Sequence, residues 1–277
     1  MYDVVVIGTG IIGSAITHQL CKHDLKILVL EKDVEVSNGV TKANSAVIHA
    51  GYDPKPGTLK ARFNARGNFL YGQLTKDLNV HFERVGSLTL AFTDEEVAAL
   101  YELEKYSKLN HVEIELIETE EILKREPNVQ PNVRLALWAP TAGILAPWDM
   151  VYAFLDNAVH NGVTLKTDQE VKSIDRTNED DPGFKIKPTR GEYYVIDRGY
   201  DHYCKAVLFP TPTAKGKGVL ILPTIHGNLL MGPTAEGIEN PDDTRVTKFG
   251  LSYIKEHLGK MVVNPPYEGI IRTFSGV

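Results

Sequence analysis

Three glycines fall within six residues, Gly8-Thr9-Gly10-Ile11-Ile12-Gly13, directly after the apolar run Val4-Val5-Val6-Ile7. Backbone with so few side chains can turn sharply and lie against a pyrophosphate. Gly8 permits the tight turn, Gly10 lets phosphate approach the backbone, and Gly13 lets the next helix pack on the strand. Thr9, Ile11 and Ile12 then line the phosphates at a helix N-terminus, whose free N–H groups carry a partial positive charge. Glu31 stands 21 residues after Gly10, with Lys32 beside it. At that distance its carboxylate can accept both hydroxyls of an adenosine ribose and would repel a 2′-phosphate, so NADP is disfavoured. The pattern suits the ADP half of NAD or of FAD and does not separate them.

Positioning these groups takes a strand, a helix and a second strand. The β-branched run at residues 4–7 predicts a parallel strand covered on both faces. A helix is expected from about Ile11 to His23, with Ile12, Ala15, Ile16 and Leu20 along one face, and a second strand from Lys26 to Leu30.

Composition bounds the rest. The chain has 277 residues, 43% hydrophobic and 24% charged, with a formal net charge of -6. That is ordinary for a globular fold, and no apolar run reaches the roughly 18 residues of a membrane-spanning helix. No basic tract offers a footprint for nucleic acid. Cys21 and Cys204 lie far apart, which is neither a disulfide framework nor a metal-ligand spacing, so no metal is expected. The first strand begins so near Met1 that no secretory leader is expected before it, and the chain reads as cytoplasmic.

The segment after the second strand, Ser37-Asn38-Gly39-Val40-Thr41-Lys42-Ala43-Asn44-Ser45-Ala46-Val47-Ile48-His49-Ala50-Gly51-Tyr52, is small, polar and rich in hydroxyls and amides. It resembles the flavin-contacting segment of the D-amino-acid-oxidase-like FAD oxidoreductases. Within them it is most similar to the FAD-dependent glycerol-3-phosphate dehydrogenases of anaerobic type and the L-2-hydroxyglutarate dehydrogenases. Further matches are Pro56-Gly57-Thr58-Leu59-Lys60-Ala61, Lys187-Pro188-Thr189-Arg190-Gly191-Glu192-Tyr193-Tyr194 and Pro223-Thr224-Ile225-His226-Gly227-Asn228 with Gly232-Pro233-Thr234.

The resemblance implies FAD as cofactor and an α/β fold, α+β overall. A Rossmann-like FAD-binding domain (1–80 and 145–178) would interleave with a mostly antiparallel substrate domain (81–144 and 184–277). It adds Thr41, Asn44, Ser45 and Val171 to the cofactor-binding residues. It implies a small anionic hydroxy substrate, with glycerol 3-phosphate first and an L-2-hydroxy acid second. The electron acceptor stays open between a quinone and a redox protein, and a peripheral place at the inner membrane surface stays open beside the cytoplasmic reading. The chain departs from the family after Ile174. No Ala-Ala-Gly or Ala-Thr-Gly turn appears there, and no glycine-rich segment follows Val277. A nucleotide-binding fragment without turnover is therefore a second expectation. The acidic run Glu179-Asp180-Asp181 reads as solvated loop.

Oxidation of a hydroxyl needs a proton acceptor, for which histidine is suited. His49 and His226 both stand in the matched segments. An anionic substrate needs a cation, and the planar fork of arginine fits carboxylate or phosphate. Arg190 before Gly191 and Arg272 after Ile270-Ile271 are the candidates.

Other elements follow from caps and patterning. A capping box at Thr93 predicts a helix to about Lys108, Thr119 should cap a shorter one, and Pro147 should open one that Gly162 stops. Strands are expected at Val163–Lys166, Val171–Ile174, Glu192–Ile196, Ala206–Phe209, Val219–Leu222 and Leu229–Met231, and a late helix near Lys248–Leu258.

Overall fold

The computed structural model describes residues 1–174, 186–212 and 218–277. In chain order the elements begin β1 (Val4–Ile7), α1 (Ile11–Leu20), β2 (Ile27–Leu30), β3 (Val47–Ile48), α2 (Leu59–Asp77), β4 (Phe82–Glu83), β5 (Ser87–Ala91) and α3 (Asp94–Leu109). They continue with β6 (Glu115–Glu118), α4 (Thr119–Arg125), β7 (Leu135–Ala139), β8 (Gly143–Leu145), α5 (Pro147–His160) and β9 (Thr164–Lys166). The second half holds β10 (Thr189–Ile196), β11 (Val207–Pro210), β12 (Leu220–Pro223), β13 (Leu229–Gly232), β14 (Glu236–Gly237), α6 (Lys248–Met261) and β15 (Ile270–Gly276). The acidic run at 179–181 lies outside the described residues.

Among the described residues these strands form three sheets. β1, β2 and β9 make a parallel sheet with β2 in the middle. A nine-stranded sheet runs β14-β10-β13-β12-β11-β5-β7-β6, with β15 also paired to β10. Its pairs are antiparallel apart from β11 with β5, so it is a mixed sheet of mostly antiparallel character. β3 and β4 flank β8 in a small third sheet.

Local chemistry accounts for most boundaries. The Thr93 hydroxyl accepts from Glu96 N–H at 3.3 Å, and the Glu96 carboxylate accepts from Thr93 N–H at 3.2 Å, closing the expected capping box. Pro147 occupies the first turn of α5, and Gly162 follows it with φ +91°. Thr119 does not cap α4: its hydroxyl donates to Val133 O at 2.6 Å, which ties α4 to the start of β7 instead. α1 stops at Leu20, short of His23, and residues 171–174 form no strand. α6 runs past Leu258 to Met261, with Thr247 accepting from Gly250 N–H at 3.0 Å as its cap.

β1 differs from its sequence pattern in a way that matters later. Val4 and Val6 pack with Ile27, Val29, Ala158 and Val163. Val5 and Ile7 point the other way and are 50% and 53% exposed. One face of this continuous apolar strand is therefore open, where the run predicted cover on both.

The largest core lies on the nine-stranded sheet, against α4 and α6. A buried carboxylate helps fix one of its corners. Glu126 Oε1 accepts from Ala206 N–H at 2.6 Å and Lys205 N–H at 3.0 Å, at the start of β11. Burial pushes the Glu126 carboxyl up, against the pull of these N–H groups. Glu126→Ala leaves both donors unsatisfied, and its expected cost is about 1–3 kcal/mol in urea unfolding. Glu126→Gln should recover part of it, because the amide oxygen still accepts.

Candidate functional site

The glycine turn has the geometry its residues require. Gly8 takes φ +92°, which favours glycine. A Cβ on Gly13 would lie 2.1 Å from Gly8 O, so helix and turn touch backbone to backbone. α1 opens on Gly10 without a side-chain cap, and Ile11 N–H donates to Thr41 Oγ1 at 2.9 Å. Ile12 is 72% exposed on the first turn.

Glu31 reaches this turn from the end of β2. Its Oε2 accepts from Thr9 N–H at 2.8 Å and from the Thr9 hydroxyl at 2.5 Å, and its Oε1 accepts from Asp33 N–H at 3.1 Å. Burial alone would raise this carboxyl. Hydrogen bonds from Thr9, Asp33 and Lys32 outweigh it and hold the group below the usual range. Glu31 is thus ionised and fixed at the phosphate turn, with Lys32 exposed beside it. Val171 follows closely on Gln169, whose N–H donates to Glu31 O at 2.8 Å.

The loop after β2 builds itself largely from its own side chains. Asn44 Nδ2 donates to Thr41 O at 2.8 Å and its Oδ1 accepts from Ala46 N–H at 2.7 Å, so Asn44 shapes the loop through its amide. Ser45 hydrogen-bonds Tyr193, whose phenol burial pushes up to about 12. Tyr193 in turn stacks on Phe274, centroids 4.6 Å apart. A Cβ on Gly276 would lie 1.9 Å from Ala43 O, so the end of β15 presses on this loop through backbone.

Between loop and sheet lies a cavity of 570 Å³. Its walls come from residues 35–38 and 42–46, from Ala146 and from Trp148 and Tyr152 of α5, from the β12–β13 turn, and from β15. His226 and Arg272 both line it, as do Asn44 and Ser45. His226 sits on a turn closed by Thr224 N–H to Asn228 O at 2.8 Å, with Gly227 at φ +82°. Its ring stacks against Trp148 at 6.2 Å and 20°. Arg272 is exposed opposite Val195 and takes part in no ion pair among the described residues. Ser37 Oγ, another cavity residue, is buried with no hydrogen-bond partner.

The other two candidates lie elsewhere. The His49 ring packs 5.7 Å from that of Phe209, off the cavity wall. Arg190 is 3% exposed, with its guanidinium 2.6 Å from Glu236 and 3.0 Å from Asp243. Arg245 and then Arg190 hold the Asp243 carboxyl far below its usual range. Glu192, 3.7 Å from Arg190, also accepts from Thr247 N–H at 2.7 Å. Arg190 thus has its charge matched inside the protein, in a cluster that anchors α6 to β10. Trp148 and Tyr152 escaped sequence reasoning, because only the fold brings α5 to the cavity beside the loop that begins at Ser37.

The residues present fit a dinucleotide: a helix start with no cap from Gly10 itself, a Gly13 where a Cβ would clash, a fixed carboxylate, and an orphaned hydroxyl in the loop after β2. Comparisons with known proteins agree. The family model described as FAD dependent oxidoreductase matches residues 3–183 and 177–277. A glycerol 3-phosphate dehydrogenase of Caloramator mitchellensis is 39% identical over 309 aligned residues, covering 100% of this chain and 64% of the relative. An L-2-hydroxyglutarate dehydrogenase of Escherichia coli K12 is 28% identical, covering 100% of this chain and 74% of its own. The solved L-alpha-glycerophosphate oxidase of Mycoplasma pneumoniae with FAD bound superposes with a TM-score of 0.89 at 26% identity, covering 99% of this chain and 82% of that one.

Glu31 supplies a test with a sign. Its carboxyl is lowered in the folded protein, so its contribution to stability is present above the ordinary glutamate pKa of about 4.3 and lost as pH falls through the lowered value. Glu31→Gln should flatten that acid limb in pH-dependent unfolding. Glu31→Ala should weaken FAD binding by at least ~10-fold, since each charge-assisted hydrogen bond lost is worth about 1.5–3 kcal/mol. Calorimetric titration with FAD reads the second effect, and unchanged affinity would refute the ribose assignment.

Proposed function

The chain belongs to the FAD-dependent oxidoreductase family, and from that premise we propose that it oxidises a small anionic hydroxy compound, glycerol 3-phosphate before an L-2-hydroxy acid. The observation that carries this reading is that His226 and Arg272 line one cavity with the Ser37–Ser45 loop. The chain spans 64% of the length of its glycerol 3-phosphate dehydrogenase relative, so the activity is put forward as a proposal that rests on the residues present here.

In this reading residues 1–80 and 145–178 hold the cofactor, and residues 81–144 and 184–277 hold the substrate. Gly8 to Gly13 and Glu31 would take the ADP half of FAD, and Thr41, Asn44 and Ser45 would follow toward the ring. When bound, FAD supplies the acceptor for the hydride that leaves the substrate carbon. Arg272 draws the phosphate or carboxylate to the β15 side of the cavity, where no carboxylate among the described ion pairs competes for it. His226 takes the hydroxyl proton on a ring nitrogen, and Trp148 holds the ring by stacking. The apolar wall of Ile144, Leu145, Val195 and Leu230 keeps water from the reacting carbon and strengthens both polar contacts. The Arg272 fork accepts a carboxylate as readily as a phosphate, which is why the hydroxy acid stays in the assay.

FAD-reconstituted protein, mixed anaerobically with each substrate, decides the matter. Bleaching of the flavin absorbance by glycerol 3-phosphate supports the first choice. Bleaching by L-2-hydroxyglutarate alone moves the assignment to the second. FAD retention with no bleaching by either leaves a nucleotide-binding protein without turnover. Arg272→Leu should raise the KM for the anion by roughly 10–100-fold with a smaller change in kcat, the loss expected for a charged hydrogen bond.

A further inference from the structure

β15 is held by a strand on one side only. Among the described residues it pairs with β10 and with no other strand. Its register sets Gly191 against Gly276, Glu192 against Ser275 and Val195 against Arg272, then Ile196 against Ile270, so Ile271 is an extra residue without a partner. Arg272 therefore stands next to a β-bulge, a device that re-aims side chains. Arg272 and Phe274 share the strand face that lines the cavity. A slip of one residue would bring Ile271 and Thr273 there and turn the guanidinium away. A bulged strand with one neighbour needs more than its ladder to fix that register.

Residues 236–247, which lead from β14 into α6, supply the rest. β10 grips this strap at three points. Arg190 Nη2 lies 2.6 Å from Glu236 and its Nη1 lies 3.0 Å from Asp243. Two residues on, Glu192 accepts from Thr247 N–H at 2.7 Å and from the Thr247 hydroxyl at 2.8 Å. Between the last two points, Thr244 O accepts from the Ser275 hydroxyl at 2.5 Å. Ser275 is also the ladder partner of Glu192, so β10, strap and β15 close a ring of contacts at the end of the strand. Arg190, Glu236 and Asp243 stand outside the cavity wall. A buried ion cluster suits such a pin, because removing one member leaves an unmatched charge, whereas a surface pair is worth little.

We propose that Arg190 and Asp243 are positioning residues: by pinning residues 236–247 they hold Ser275, and through it the β15 register that presents Arg272 to the anion. This role rests on the anion-binding part given to Arg272 under the proposed function. The two arginines then serve one purpose from different places, one meeting the substrate and the other fixing the strand that carries it.

FAD-reconstituted Asp243→Asn, which keeps the side-chain shape and removes its charge, tests this with glycerol 3-phosphate and L-2-hydroxyglutarate as probes. Expected is a KM raised by about 3–10-fold, with kcat and calorimetric FAD affinity unchanged. Ser275→Ala, which leaves the ion cluster whole, should give a rise of the same size. In an Arg272→Leu background neither substitution should raise KM further, because the residue they position is gone. An unchanged KM in both single variants of an enzyme that turns over would overturn the proposal. So would a loss shared by kcat and FAD affinity, or a KM effect that persists beside Arg272→Leu, since both mark general damage to the fold. A parent protein that retains FAD and is bleached by neither probe fails earlier: it rejects the anion reading of Arg272, and the positioning role with it.

Discussion

The approach of β15 to the loop after β2 is the contact on which the rest of the molecule depends. Gly276 meets Ala43 O through backbone, Ser45 bonds Tyr193, and Tyr193 stacks on Phe274. The first two contacts join the glycine-turn half to the nine-stranded sheet, and the third, between the neighbouring strands β10 and β15, holds Tyr193 in place within that sheet. The cavity is the space they leave. Its polar groups come from both sides: Ser37 and Asn44 from the loop, His226 and Arg272 from the sheet. A side chain on Gly276 would displace Ala43 or β15 itself, and the cavity with it. A dinucleotide half and a substrate half become one site only because this junction is close-packed.

The parts legible in the sequence are those where local chemistry decides. The glycine turn, Glu31, the Thr93 capping box and the Pro147 helix start each rest on interactions within a short stretch or on a fixed spacing. α2 was invisible for the complementary reason. Its segment Leu59–Asp77 holds Gly67 and Gly72 and scatters its apolar residues, so only Ala61, Asn68 and Thr75 are buried. It is held by contacts distant in sequence: Asn68 Nδ2 donates to His49 O and Thr141 O, and Arg84 reaches Asn68. Thr119 shows the same limit at one residue. Its position at a helix start reads as a cap, and a carbonyl 14 residues away takes its hydroxyl instead.

The candidate site divides along the same line. Residue type, with the matched segment for His226 and the apolar pair before Arg272, marked the two as chemically able but could not distinguish them from His49 and Arg190. Only tertiary packing shows that Arg190 meets Glu236 and Asp243 while Arg272 meets none of the described carboxylates. Both arginines lie in strands, and β10 and β15 are neighbours. What separates them is the direction each presents along that pair. Arg190 sits where β14 and the approach to α6 bring acids together, and Arg272 pairs with Val195 on the cavity side.

The two sheets also differ in how completely they are satisfied, and this bears on what the cofactor does for the protein. Leu88, Leu90, Ile196, Leu208 and Ile221 of the large sheet are buried to within 1%. Each contributes on the order of 1.5–3 kcal/mol of apolar burial. The parallel sheet buries Ile27 and Val29 but leaves Val5 and Ile7 half in water. Local stability follows such differences, so the glycine turn belongs to the less stable part of the chain. A ligand that binds the folded turn and not the opened one stabilises that part by mass action. In the proposed reading, a dinucleotide held at the Gly8–Gly13 turn would add to the stability of α1 and of the turn that Glu31 already fixes.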